Sequence, residues 1–147
     1  MGETETRAPL LVFSTTMRLI AVGREMQRKL EAELAELGLT MRHLGALGHL
    51  SHRPDLSYSD LARRSGVTAP SMLATVRALE SLGAVSRTSS GQGRAAQLEI
   101  TTSGRELLAK VRTIVADLDG EFLGPFDEDQ RAALDAILAA NTKPPSR

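Results

Sequence analysis

Cysteine is absent from all 147 residues, and that one absence removes disulfides, thiolate metal sites and thiol redox sensing. Tryptophan is missing too, and only Phe13, Tyr58, Phe122 and Phe126 are aromatic. A core must therefore be assembled from Leu, Ala, Val and Ile, which favours helix packed on helix over a β-sandwich. Long apolar runs are also lacking. The stretch Leu10-Leu11-Val12-Phe13 is far too short for a signal peptide or a membrane span. A soluble, cytoplasmic chain with no membrane partner is expected. No P-loop, nucleophile elbow or paired-carboxylate context occurs, so neither an enzyme nor a cofactor is expected.

Net charge is lacking as well, since 18 basic side chains face 18 acidic ones, but the balance is uneven along the chain. Residues 53–105 hold seven arginines against four acids, whereas residues 106–147 hold five basic and eight acidic groups. Positive charge thus gathers in the middle of the chain and negative charge at its end, the pattern of a molecule that presents one face to phosphate.

The middle is also where the punctuation is densest. Ser57 and Asp60 form an S-x-x-[DE] helix start, and the short helix they open runs through Leu61-Ala62-Arg63-Arg64 to a turn at Ser65-Gly66-Val67. Thr68 can cap a second helix reaching Leu82, with Pro70 tolerable in its first turn and Gly83 stopping it. Two helices joined by a three-residue turn with a central glycine read as a helix-turn-helix. A hairpin from Ala84 to Thr101 follows, its tip Thr88-Ser89-Ser90-Gly91-Gln92-Gly93 made of turn residues and flanked by Arg87 and Arg94. Such a head offers a duplex a helix for the major groove and a basic finger for phosphates or the minor groove. DNA is therefore the expected partner.

Long helices flank the head. Phe13, Met17, Ile20, Leu30, Leu34 and Leu37 recur at helical spacing before a cap at Gly38, and Thr40 opens a helix from Met41 to about Ser51 with Met41, Leu44, Leu47, Gly48 and Ser51 on one face. After the hairpin, Leu107, Val111, Ile114 and Leu118 stripe a helix from about Thr102 to Leu118, and Asp127 with Gln130 starts a last one carrying Leu134, Ile137 and Leu138. The fold class is mostly α (α+β): a winged helix-turn-helix head, residues 53–104, between dimerisation helices at about 10–37 and 102–141. Residues 10–141 are expected to form one domain, between a disordered N-terminus (1–9) and a disordered tail (142–147). The apolar flanking faces exceed what a small head can cover, so a twofold homodimer is expected.

These residues resemble the MarR family of winged-helix regulators. The likeness runs through Gly38-Leu39-Thr40, then Leu56 to Ser71, then Leu79-Glu80-Ser81-Leu82-Gly83-Ala84-Val85-Ser86-Arg87, and ends with Arg94 to Gly104. It implies a homodimer whose helix at Thr68–Leu82 enters the major groove and whose wing reaches the flanking minor groove. It also implies a small-molecule effector that lowers DNA affinity. The function expected is that of a ligand-responsive repressor on a pseudo-palindromic operator. The alternative is a winged-helix module that binds another protein, which would need no arginine at the wing tip and would expose an apolar patch instead.

The candidate DNA contacts follow. Arg94 suits a narrow minor groove, and Arg63, Arg64 and Arg77 suit phosphates. Arg87 either touches phosphate or braces the hairpin through Glu99. Thr68, Ser71 and Thr75 can hydrogen-bond bases or phosphates, and Ala74 can meet a thymine methyl. The resemblance puts an effector between the flanking helices and the head, near Met17, Arg42 and His43. Two positions depart from the family: Gln92 stands where the wing usually carries Asp, and Ala74 where the reading helix often carries Arg. No metal is expected, because His49 and His52 share a helix face but His43 lies away from them. Peroxide at doses that spare the five methionines should leave DNA affinity unchanged in a gel-shift titration, since no thiol is available to sense it.

Overall fold

The structure, a computed structural model, describes residues 11–88 and 97–142. The expected frayed start, the wing tip with Gln92 and Arg94, and the tail from 143 lie outside the described residues. A 3-10 turn at Leu11–Phe13 leads into α1 (Thr15–Glu36), followed by α2 (Met41–His52), α3 (Tyr58–Ser65) and α4 (Ala69–Ser81). Strands β1 (Val85–Thr88) and β2 (Gln97–Ile100) come next, then α5 (Thr102–Leu123) and α6 (Glu128–Asn141).

Local chemistry fixes the boundaries. Ser14, Thr40, Ser57, Thr68, Thr101 and Asp127 each accept a first-turn backbone N–H at a helix start, a contribution of about 1 kcal/mol per cap. Three helices end in the same way. Gly38, Gly66 and Gly83 adopt φ of 70°, 66° and 70°, a left-handed backbone that only glycine takes without strain. The next residue then bonds back five positions: Leu39 to Leu34, Val67 to Ala62 and Ala84 to Leu79, at 2.9, 3.1 and 2.9 Å. The turn between α3 and α4 is thus a hydrogen-bonded closure with one defined exit direction.

The core is aliphatic. Leu34, Leu47, Leu50, Leu61, Met72, Val76, Leu79 and Leu98 are fully buried, each removing apolar surface worth roughly 1.5–3 kcal/mol from water. The face of α2 differs from expectation. Ala46, Leu47 and Leu50 turn inward while Met41 and Ser51 are exposed, because α2 packs against α3, α4 and β2 together. Helix α5 runs beyond the expected Leu118 to Leu123, where Gly124 and Pro125 end it.

The two strands pair antiparallel, Val85 opposite Ile100 and Thr88 opposite Gln97. A two-stranded ribbon is marginal alone; here Val85 and Leu98 anchor it in the core. Its base is tied to α5 by a cluster of backbone contacts. Thr101 donates its N–H to the Ala84 carbonyl at 3.1 Å and its hydroxyl to the Gly83 carbonyl, while accepting from the Gly104 N–H at 3.0 Å. Gly104 lies so close that an added Cβ would stand 2.1 Å from the Ala84 oxygen.

The flanking helices leave much apolar surface uncovered. Phe13 on the opening turn is 57% exposed and Ile137 on α6 is 60% exposed. On α6 only Leu134 is even half-buried. Among the described residues no helix is long and apolar enough to cross a membrane.

Gly104→Ala should destabilise the protein by about 2–3 kcal/mol, because the new methyl meets a hydrogen-bonded backbone carbonyl that cannot retreat. In a thermal melt that is a loss of roughly 5–10 °C, and a melting temperature within 1–2 °C of wild type would show that the junction relaxes freely.

Candidate nucleic-acid interface

Helix α4 presents two contrasting faces. Met72, Val76 and Leu79 pack inward on Leu61 and Ala62 of α3, while Thr68, Ala69, Pro70, Ala74, Arg77 and Ser81 are exposed. The exposed residues begin at the helix N-terminus, where the first-turn backbone N–H groups lack helical partners (Pro70 has none) and the dipole favours anions. Thr68 and Ser71 are joined there: the Thr68 hydroxyl donates to Ser71 Oγ at 3.0 Å and accepts the Ser71 N–H at 3.4 Å. Arg77 is exposed and makes no ion pair with a described residue.

Thr75 is a correction. It was expected to offer its hydroxyl to a base, yet it is only 8% exposed and donates to the Ser71 carbonyl at 3.1 Å. It lies three residues after Met72 and four before Leu79, so it shares their buried stripe.

On α3, Arg63 is 75% exposed at its side chain and pairs with Asp60 one turn earlier. Asp60 is held below its ordinary carboxylate value by the Ser57 hydroxyl, with Arg63 and Arg64 adding to the effect. Arg64 is half-buried against the helix pair.

Arg87 also departs from expectation, in its partner. The brace runs to Glu80 on α4, not to Glu99: Nε and one Nη donate to the two carboxylate oxygens at 2.6 and 3.1 Å. Glu99 stands opposite Ser86 in the ladder, and side chains at successive strand positions point to opposite faces. The guanidinium also lies over the Tyr58 ring, 5.2 Å from its centroid. Hydrogen bonding to Glu80 raises the Arg87 pKa above its ordinary value, and burial pushes the Tyr58 phenol up. Sequence reasoning missed Glu80 and Tyr58 as partners. The available signal was an acid in the last turn of a helix and an arginine soon after a tight glycine closure.

A cavity of about 310 Å³ opens behind α4, lined by Met41, Arg42 and His49 of α2, Arg64 and Ser65 of α3, and Val67, Ser71 and Met72. Of the three residues expected around an effector, Arg42 lines this cavity. Met17, on the exposed face of α1, does not. His43 does not either. It accepts the Thr40 N–H on Nδ1 at 3.1 Å while Thr40 Oγ1 accepts the His43 N–H, a reciprocal box at the start of α2. Among the described residues no group of three or more His, Asp or Glu side chains converges to hold a metal ion.

Two helices joined through a glycine closure, with a two-stranded wing on the second, define a winged helix-turn-helix protein. Residues 37–95 match the sequence profile of the MarR family. The HTH-type transcriptional repressor Rv2887 of Mycobacterium tuberculosis is 33% identical over 121 residues, covering 82% of this chain and 87% of the relative. The chain belongs to the MarR family. Solved structures agree. The M. tuberculosis MarR family protein Rv2887 in complex with DNA superposes with a TM-score of 0.75 at 28% identity, covering 88% of this chain and 98% of that one. Its complex with salicylic acid gives 0.69 at 31%, covering 88% and 96%. MepR, a transcription regulator of the Staphylococcus aureus multidrug efflux pump MepA, shares the fold with a TM-score of 0.77 at 22% identity, covering 87% and 96%.

The His43 box carries a pH dependence. Burial lowers its pKa from 6.5, so the neutral ring is favoured in the fold. The stability it adds is fully present above pH 6.5 and is lost as pH falls through the lower folded value, where protonated Nδ1 no longer accepts. His43→Gln should keep the box at neutral pH and flatten the melting temperature between pH 7.5 and 5. An unchanged pH slope in the variant would place the titration elsewhere.

Proposed function

We propose that this chain is a ligand-responsive transcriptional repressor that binds a pseudo-palindromic operator as a homodimer. The observation that carries this reading is the exposed face of α4, where Pro70, Ala74 and Arg77 lie opposite the core residues Met72, Val76 and Leu79 and Thr68 caps the N-terminus. Thr68 and Ser71 lie where the first turn meets base edges or phosphate, and Ala74 presents a methyl. Arg63 is held only by an exposed pair one turn away, an interaction of little net strength. A phosphate therefore readily replaces Asp60 as its partner. Arg64 is proposed to add charge at the same edge. Arg94 is proposed to enter the minor groove beside the half-site. The homodimer reading rests on the uncovered apolar side chains of α1 and α6, which a second copy would bury.

The effector site is proposed in the cavity behind α4 rather than near Met17 or His43. It pairs two guanidiniums, Arg42 and Arg64, with apolar walls at Met41, Val67 and Met72. Its volume lies at the small end of ligand pockets, and that chemistry suits a small aromatic or amphipathic carboxylate. Solved complexes of the relative Rv2887 with salicylic acid and p-aminosalicylic acid support this class. A ligand here presses against Ser71 and Met72 and so bears on the pose of the reading helix.

A gel-shift series tests the whole reading, using a duplex selected from a random pool and an unselected duplex at two salt concentrations. Arg77→Ala and Arg63→Ala should each reduce the salt slope by about one unit on both duplexes. Ser71→Ala should instead erode the preference for the selected duplex, and salicylate should weaken wild-type binding but not that of Arg42→Ala. Absence of salt-sensitive binding to any duplex would reject the reading in favour of a protein-binding module.

A further inference from the structure

The one arginine of the described wing is spoken for on three sides. Arg87 donates a fork of two bonds to Glu80 and lays a face on Tyr58, which binds α3, α4 and β1 through one guanidinium. Forked arginine–carboxylate bonds are among the stronger polar contacts, and their planar geometry fixes direction as well as distance. We infer that Glu80 is a positioning residue for DNA recognition, which holds Arg87 against Tyr58 so that the wing leaves α4 at one angle, and that Arg87 is a brace and not a phosphate ligand. The inference rests on the DNA-binding reading above but concerns a different part of the machine.

Three observations carry it. First, the ribbon has little else on this side to orient it: four residues pair with four, and the buried anchors Val85 and Leu98 hold its base from the core side. Second, the fork takes Nε and one Nη of Arg87, so a phosphate would meet only the outer Nη donors and stand near the Glu80 carboxylate, an unfavourable like-charge contact. Third, the pair spans a turn whose exit is fixed at Gly83 by the Ala84-to-Leu79 bond. Glu80 and Arg87 are thus closed onto each other by backbone already in place, and little further freedom is lost in joining them. The brace lies along the line from α4 to the wing, so its loss changes the angle between the two elements without removing a phosphate contact.

The test compares Glu80→Gln, Arg87→Ala, Arg87→Lys and the Glu80→Gln/Arg87→Ala double variant, each verified as folded by its melt. In the free protein, amide exchange of β1 and the ring resonances of Tyr58, the only tyrosine, report on the brace. Glu80→Gln and Arg87→Ala should both speed β1 exchange and shift the Tyr58 resonances in the same direction. On a duplex selected by wild type, each should weaken binding by about three- to tenfold, with the double variant no worse than Arg87→Ala. Arg87→Lys, which keeps the charge and loses the fork, should behave as Arg87→Ala, and the salt slope should hold at the wild-type value. Glu80→Gln binding as tightly as wild type or tighter, or Arg87→Lys recovering a slope that Arg87→Ala loses, would overturn the inference and make Arg87 a phosphate ligand screened by Glu80. If wild type selects no duplex, the DNA reading fails separately. The free-protein measurements then still decide, and unchanged exchange and resonances in Glu80→Gln would reject the brace itself.

Discussion

Everything in the head hangs on the contact between Gly104 and the Ala84 carbonyl. That oxygen closes the wing by accepting the Thr101 N–H, and the start of α5 lies on it with no room for a side chain. Because Ala84 is also the residue that completes the closure of α4, the two peptide groups of one residue set the end of α4, the root of the wing and the start of α5. Close packing of backbone on backbone is stiff. A displacement of α5 relative to the head therefore has to move α4 and the wing with it, a direct mechanical route from the flanking helices to the surface proposed to meet DNA.

Charge is arranged on the same economy. A chain of zero formal charge attracts a polyanion only if its cations are placed where the duplex arrives and its acids elsewhere. The head does not achieve this by leaving its arginines bare. Arg63 is tied to Asp60 and Arg87 to Glu80, whereas Arg77 has no such tie among the described residues. Weak exposed pairs of the Arg63 kind exchange readily for phosphate, while a forked and stacked pair of the Arg87 kind resists exchange. Two arginines equivalent by composition thus differ in how firmly their partners hold them.

Much of the frame was legible from local residues because local residues cause it. Ser57, Thr68 and Asp127 cap the helices they were expected to cap, and Gly38, Gly66 and Gly83 close three ends. The site was legible in part. Thr75 was misassigned by weighing its hydroxyl above its spacing from Met72 and Leu79, which alone puts it inside. Glu80 as the partner of Arg87 depends on a turn bringing a helix end against a strand, and no periodicity reports that. His43 was hidden for another reason: a histidine in place of Glu or Gln at the third helical position falls outside the usual pattern of a reciprocal cap, so its side chain was expected to face a ligand and instead serves its own helix.

The last helix has a consequence of a different kind. Fourteen residues with a single half-buried side chain are close to the length at which a helix in water is no more stable than coil. Where a second copy covers it, as proposed above, its structure is borrowed, and borrowed structure obeys mass action. Diluting such a dimer would remove helix from this end before it touches the head, and the far-ultraviolet signal of a solution would become a function of its concentration. On that reading a cell holding few copies would hold, in part, a shorter folded protein than a cell holding many.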